Sequence, residues 1–281
     1  MWIGLVGSEM CIRDRTKSAK NYRSLREIYK LKYFLILFFL CFTYPSLAET
    51  KKDYYVNLGG IKIADAQFII NTNEDDWSLE TKVEAAGIID VFVKFISTTS
   101  SKGIIINNKI IPDAYEFSYL TGRGNSRKGE IIYESGLPTK LIAEPNYSED
   151  EKPSLEFLKK YGEMSSDPYS ALLVHGSYSD PCKYTAKGFD GLRSFKTIFI
   201  RQAREDQIEI DDTTFVVSKC VGYFEPIVGY RESDFLDAIS NPGSVRYWFK
   251  FIESLNLWVP LKVIIDTHLG GFVLKAKSVS D

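Results

Sequence analysis

The chain has 281 residues with 35 Lys/Arg against 37 Asp/Glu, a formal net charge of −2. That balance leaves no basic excess of the kind that holds nucleic acid or an anionic membrane by charge. With 44% hydrophobic residues and no low-complexity tract, it is long enough to bury one substantial core.

The N-terminal region reads as material ahead of the folded domain. Lys30 and Lys32 precede the apolar run "YFLILFFLCFTY" and then "PSLAET". A basic end, about a dozen apolar residues, and Ser46 and Ala48 at the positions read at a cut are the parts of a cleavable signal. The run is shorter than the roughly 20 residues that span a bilayer. Residues 31–48 are therefore expected to be a signal peptide cut after Ala48, and the protein to be periplasmic. Cys41 follows Phe39 and Leu40 rather than the small residues a lipid-attachment cysteine wants. Ahead of it, "LVGSEMCIRDR" (5–15) resembles the in-frame translation of a transposase-type sequencing adaptor over eleven consecutive residues. Residues 1–30 are accordingly expected to be a non-native extension.

The expected mature domain is 49–281. Residues 1–48 hold eight Lys/Arg and three Asp/Glu; taking these from 35 and 37 leaves 27 and 34, a net charge of −7. Of four cysteines only Cys182 and Cys220 remain, an even pair in an exported chain, which is expected to form a disulfide. Closing that 38-residue loop is worth about 4 kcal/mol in the chain-entropy picture. A metal site or a catalytic thiol is the rival reading, but His175 and His268 each stand alone.

Period-2 alternation dominates from Tyr55 onward, with Tyr55–Ile70 expected as the N-terminal strand. Tyr115, Phe117 and Tyr119 share one strand face, as do Val245, Tyr247, Phe249 and Phe251, and then Leu257, Val259, Leu261, Val263 and Ile265. Pro260 within the last run marks an edge or a bulge. The clusters "NTNEDD", "GRGNSRKG", Asp211-Asp212, "ESLN" and "LGG" read as turns. The expected fold is mainly β: one domain on a long, strongly curved antiparallel sheet, a half-barrel or open barrel. Short helices are expected near 88–96 and 154–175. "KPSLEFLKKYGEM" has Ser154 at its start and Lys159, Lys160 near its end, and "SDPYSALLVHG" has Asp167 as cap and Pro168 in the first turn.

"YYVNLGGIKIADA", "SDPYSALL", Cys182, "GFDGLRSF", Cys220, "EPIVGY" and "LWVPLKVIIDTHLGGFVL" occur in that order over nearly the whole mature chain. Together they resemble the domain-of-unknown-function 3108 family of exported bacterial proteins. The resemblance implies a periplasmic, β-rich protein without an established activity, and its sheet is similar to the curved half-barrels of periplasmic lipoprotein carriers.

Catalytic constellations are weak. Asp190-Gly191 beside Arg193 offers a carboxylate, but Asp-Gly is first a hairpin turn. Asp167 and His175 lie too far apart on one short helix to bond, and Asp167 reads as a cap. No serine sits in a nucleophile elbow, no histidine pair has zinc spacing, and "GRGNSRKG" lacks the helix of a phosphate loop. No metal, cofactor or enzymatic activity is expected. The expectation is a binding protein for an apolar ligand, a lipid or acyl chain; a protein-interaction module for envelope assembly is the alternative, and a hydrolase comes last. The groove or lid residues are Ile88, Ile89, Val91, Phe92 and Phe95. Their segment is apolar on nearly every side, with Gly87 before it and "STTSSKG" after it as expected flexible ends.

Overall fold

A computed structural model describes residues 48–278 apart from 74, 88–89, 91–93, 108 and 123. The expected leader and extension therefore lie outside the described residues, and so does the core of the expected helix near 88–96.

The first half is a sequential meander: β1 (Ala48–Leu58), β2 (Ile61–Thr72), β3 (Asp76–Ala85), β4 (Phe95–Ile106), β5 (Lys109–Thr121), β6 (Ser126–Glu134) and β7 (Leu137–Glu144). Helix α1 (Leu155–Gly162) follows, then β8 (Val174–His175), β9 (Ala186–Phe189), β10 (Ser194–Phe199), β11 (Arg204–Ile210) and β12 (Thr213–Val228). Helix α2 (Asp234–Ser240) precedes β13 (Val245–Ile252), β14 (Leu257–Thr267) and β15 (Gly270–Ala276). All fifteen strands form one antiparallel sheet in the order β7-β6-β5-β4-β3-β2-β1-β15-β14-β13-β12-β10-β9. Strand β11 adds to the first half of β12, and β8 to the start of β14.

The sheet bends until its two ends face each other. Phe189 of β9 is buried with Tyr115, Ile131 and Tyr133 of β5 and β6 and with Leu158 of α1. Gly162 at the end of α1 lies between Pro138 of β7 and Phe189, with no room for a side chain. Strands β7 and β9 do not pair, so the barrel stays open and α1 fills the gap. The expected curved sheet is present.

Its bending has a sequence cause. Among the described residues register shifts occur at five strand pairs, and at four of them a proline stands in the ladder: Pro112, Pro138, Pro226 and Pro260. Proline donates no ladder bond, and a bulge both tolerates that loss and increases twist and bend. At Pro260 the spare carbonyl accepts the Tyr54 hydroxyl at 3.0 Å.

The turns fall where the composition places them. Asp211 and Asp212 both take left-handed backbone (φ +48° and +57°), the two-residue hairpin turn whose twist suits the strands. Asn73 accepts the Asp75 and Asp76 N–H groups through Oδ1. Helix α1 starts as expected, with the Phe157 N–H donating to Ser154 Oγ at 3.1 Å.

Three local readings need correction. Tyr55–Ile70 is two strands, because Gly59 and Gly60 both have positive φ and reverse the chain. "SDPYSALLVHG" makes only one 3-10 turn, Ser170–Leu172, before Val174 and His175 pair with Trp258 and Leu257. "STTSSKG" is no flexible end: it lies inside β4, paired with β3 and β5. Its buried positions, Thr99, Ser101 and Gly103, are all small, which keeps the inner face of this strand low.

Candidate functional site

The inner face of β12–β14 is filled by its own side chains. Phe199 packs edge-on to Tyr247 and Phe249 at 5.3 and 6.1 Å, and Leu257, Val259, Leu261 and Val263 are buried below them. Burial pushes the Tyr247 hydroxyl up to about 12. Along β1–β3 the same face is thin. The cross-strand rows read Leu274–Val56–Ala64–Ala85 and Tyr54–Ala66–Val83, so alanine stands where the neighbouring strands carry larger residues. An apolar pocket of about 380 Å³ opens over these alanines.

Its walls come from several elements. The β1–β2 register shift leaves Ile63 unpaired, and Ile63 lines the pocket beside Ala64. Phe272 and Leu274 close one side. Phe95, 37% exposed, closes the other at the start of β4. Tyr169 and Leu172 cover it from the loop before β8, with Tyr169 edge-on to Phe68 at 5.9 Å.

That cover is pinned by a buried carboxylate. Asp167 is 1% exposed; its Oδ2 accepts the Ser101 hydroxyl at 2.6 Å, and its Oδ1 accepts the Tyr169 and Ser170 N–H groups at 2.9 and 3.1 Å. Four links follow from one residue: cap, turn, strand β4 and pocket roof. Tyr115 and Tyr133 lie near this charge; burial first, and the Asp167 carboxylate next, raise both phenols far above their ordinary value.

Of the groove or lid residues, Ile88, Ile89, Val91 and Phe92 lie outside the described residues, whereas Phe95 is part of the pocket. Both described ends of the β3–β4 connection, Ala85 and Phe95, line it. Gly87 is held rather than loose: it has φ +69°, and a Cβ there would meet the Lys62 carbonyl at 2.8 Å. Sequence reasoning missed Ala64, Ala66 and Ala85; small residues at matching positions of adjacent strands were the available signal.

The other candidates resolve into structural roles. Asp190 accepts the Leu192 and Arg193 N–H groups through Oδ1 and pairs with the Arg193 side chain at 3.2 Å, while Gly191 takes φ +94°. This is the turn. His175 and Asp167 do not bond: His175 Nδ1 accepts the Ser177 N–H at 3.1 Å, and burial lowers its pKa. His268 sits in the β14–β15 turn. Cys182 and Cys220 form a disulfide with Cα atoms 5.4 Å apart, within normal bridge geometry. Cys182 lies in a 3-10 turn capped by Asp180 and is tied to mid-β12. Among the described residues no group of three metal-ligating side chains occurs, and no helix is long and apolar enough to cross a membrane.

No protein-family model matches the chain, and no curated protein matches it. Among solved structures it is similar to a β-barrel-like protein of domain of unknown function DUF1849 from Brucella abortus. That likeness has 8% sequence identity and a TM-score of 0.43, over 85% of this chain and 100% of the other.

Proposed function

We propose that this is a non-enzymatic binding protein for an apolar ligand, a lipid or acyl chain, held on the inner face of the curved sheet. The observation that carries this reading is the pocket over Ala64, Ala66 and Ala85, whose described lining is almost wholly hydrocarbon and whose size falls in the ligand range. The absence of a catalytic role fits the way Asp167 and Asp190 are each committed to backbone N–H groups. An exported setting, as in the family the motifs resemble, is supported by the leader-like sequence and the disulfide.

The test is to fill the pocket. Ala64→Leu and Ala66→Leu add volume to an empty space, so folding should survive. Affinity for a fluorescent long-chain fatty acid should fall by about tenfold or more, ~1.4 kcal/mol. Unchanged affinity in both folded variants sinks the reading.

The interaction-module alternative has one observation in its favour: β7 pairs only with β6 among the described residues, and a helix rather than a strand lies beside its other edge. Pro138, Lys140 and Glu144 on that strand are the residues that blunt an edge against added strands. The pocket is the better-supported site.

A further inference from the structure

The outer face of β12–β15 and β1 carries a row that the pocket does not use. Reading across the ladder, Lys219, Trp248, Lys262, Lys275 and Tyr55 are successive cross-strand partners. Lys262 and Lys275 stand directly opposite each other, an arrangement of like charges that destabilises a sheet. Trp248 is flanked by the Lys219 and Lys262 ammonium groups, each 4.9 Å from its ring, and its indole N–H donates to Asp206 at 2.9 Å. Tyr55, 43% exposed, has Lys62 and Lys277 5.1 and 4.8 Å from its ring, and beyond it the row continues to Asp65.

The carboxylates around the row are spoken for. Asp206 pairs with Lys219 at 3.5 Å, Asp266 with Arg246, and Asp65 with both Lys62 and Lys277. Among the described residues neither Lys262 nor Lys275 has an ion-pair partner. Burial chiefly, and then the neighbouring cations, hold the Lys262 amine below its ordinary value. This happens in a domain whose expected mature charge is −7. The chain therefore keeps two unneutralised, mutually repelling cations between two aromatic walls.

We propose that Lys262 and Lys275 bind a multiply charged phosphate group of a soluble ligand, with Trp248 and Tyr55 flanking it. Adjacent strands lie about 4.8 Å apart, so two opposed lysines can reach one tetrahedral anion, Lys262 by swinging its ammonium off the Trp248 ring. A dianion cancels both charges at once, whereas a single carboxylate leaves one. Lysine serves phosphate as a point charge and needs no fixed fork. Trp248, 6% exposed, holds the Lys262 ammonium against its ring, and the exposed Tyr55 ring is the aromatic surface left for the rest of the ligand.

The test is calorimetric titration of the full chain with inorganic pyrophosphate at low ionic strength, with circular dichroism confirming the fold of each variant. Saturable binding is expected, weakened at least about tenfold by Lys262→Gln and by Lys275→Gln. It should be unchanged by Lys128→Gln, whose amine is paired with Glu144 on a distant part of the same face. No saturable binding, or equal weakening by Lys128→Gln, overturns the site. A parallel arm uses vesicles of phosphatidic acid in phosphatidylcholine. Binding to vesicles without binding to pyrophosphate overturns the soluble-ligand assignment.

Discussion

The two halves of the inner face solve the same problem differently. Along β12–β14 the sheet's own side chains fill the space: Tyr247 and Phe249 stack at 5.4 Å, with Phe199 across them. Along β2–β4 the inner face mixes large residues such as Phe68, Ile70 and Leu79 with the short side chains of Ala64, Ala66, Thr81, Thr99 and Ser101, which leave space beneath the curve. Space there is taken by a separate piece of chain, Asp167 to Leu172, and what that piece leaves over is the pocket. A curved sheet with large residues throughout would have closed on itself. Small residues on one side are what leave room for a cover and a cavity.

The sharpest way to break that comparison is truncation on both sides. Phe249→Ala should cost about 3–5 kcal/mol, since a fully buried ring leaves a cavity its packed neighbours cannot close. Thr99→Ala should cost about 1 kcal/mol: it removes only a hydroxyl paired with Thr81 at 2.6 Å and a methyl. Urea unfolding of the two variants measures both. Equal losses would mean that the two faces are packed alike.

What the sequence revealed follows this same divide. Strand alternation in "VRYWFKFIES" and "LWVPLKVIID" was legible because large residues mark the buried face. The bulge at Pro260 was legible too; Pro112, Pro138 and Pro226 carry the same message, and together they explain the curvature. The small-residue half resisted reading. "STTSSKG" looks like a flexible linker in isolation, yet it is strand β4, because only tertiary pairing favours strand there. "SDPYSALLVHG" satisfies helix signals at both ends, but its apolar residues are claimed by the sheet and by β14, so one turn is all that forms. Helix α2 was missed despite its signals: the Ser233 cap, Asp234 and Asp237 in the first turn, and Pro242 and Gly243 beyond its end. The Lys262–Lys275 opposition needed the register, which no periodicity supplies.

The cover itself supplies a second test, smaller than the first. Asp167→Ala strands the Ser101 hydroxyl and two N–H groups in the interior, which should cost about 2–3 kcal/mol. It should also open the pocket roof, so Tyr169 would become accessible to iodination. Asp167→Asn keeps one acceptor oxygen and should lose less. If the alanine variant is destabilised but Tyr169 stays protected, the roof is held by its own apolar contacts, and the carboxylate serves only as a cap.

The smallest effect concerns the short strand that follows the cover, at His175. Its side chain is 7% exposed, and Nδ1 accepts the Ser177 N–H, which only an unprotonated Nδ1 can do. Burial and that hydrogen bond both oppose the imidazolium, so the folded pKa lies below that of the unfolded chain, about 6.5. Above that value neither state holds the proton, and the native contacts of His175 contribute in full. As pH falls below it, the unfolded chain takes up the proton first. Unfolding then binds protons, and stability declines until the folded pKa is passed. Urea midpoints measured between pH 7.5 and 5 should therefore fall toward acid, and His175→Gln should flatten that part of the slope without moving the dependence set by carboxylates below it. An unchanged slope in His175→Gln would show that the β8–β14 corner opens before global unfolding, leaving the cover anchored through Asp167 alone.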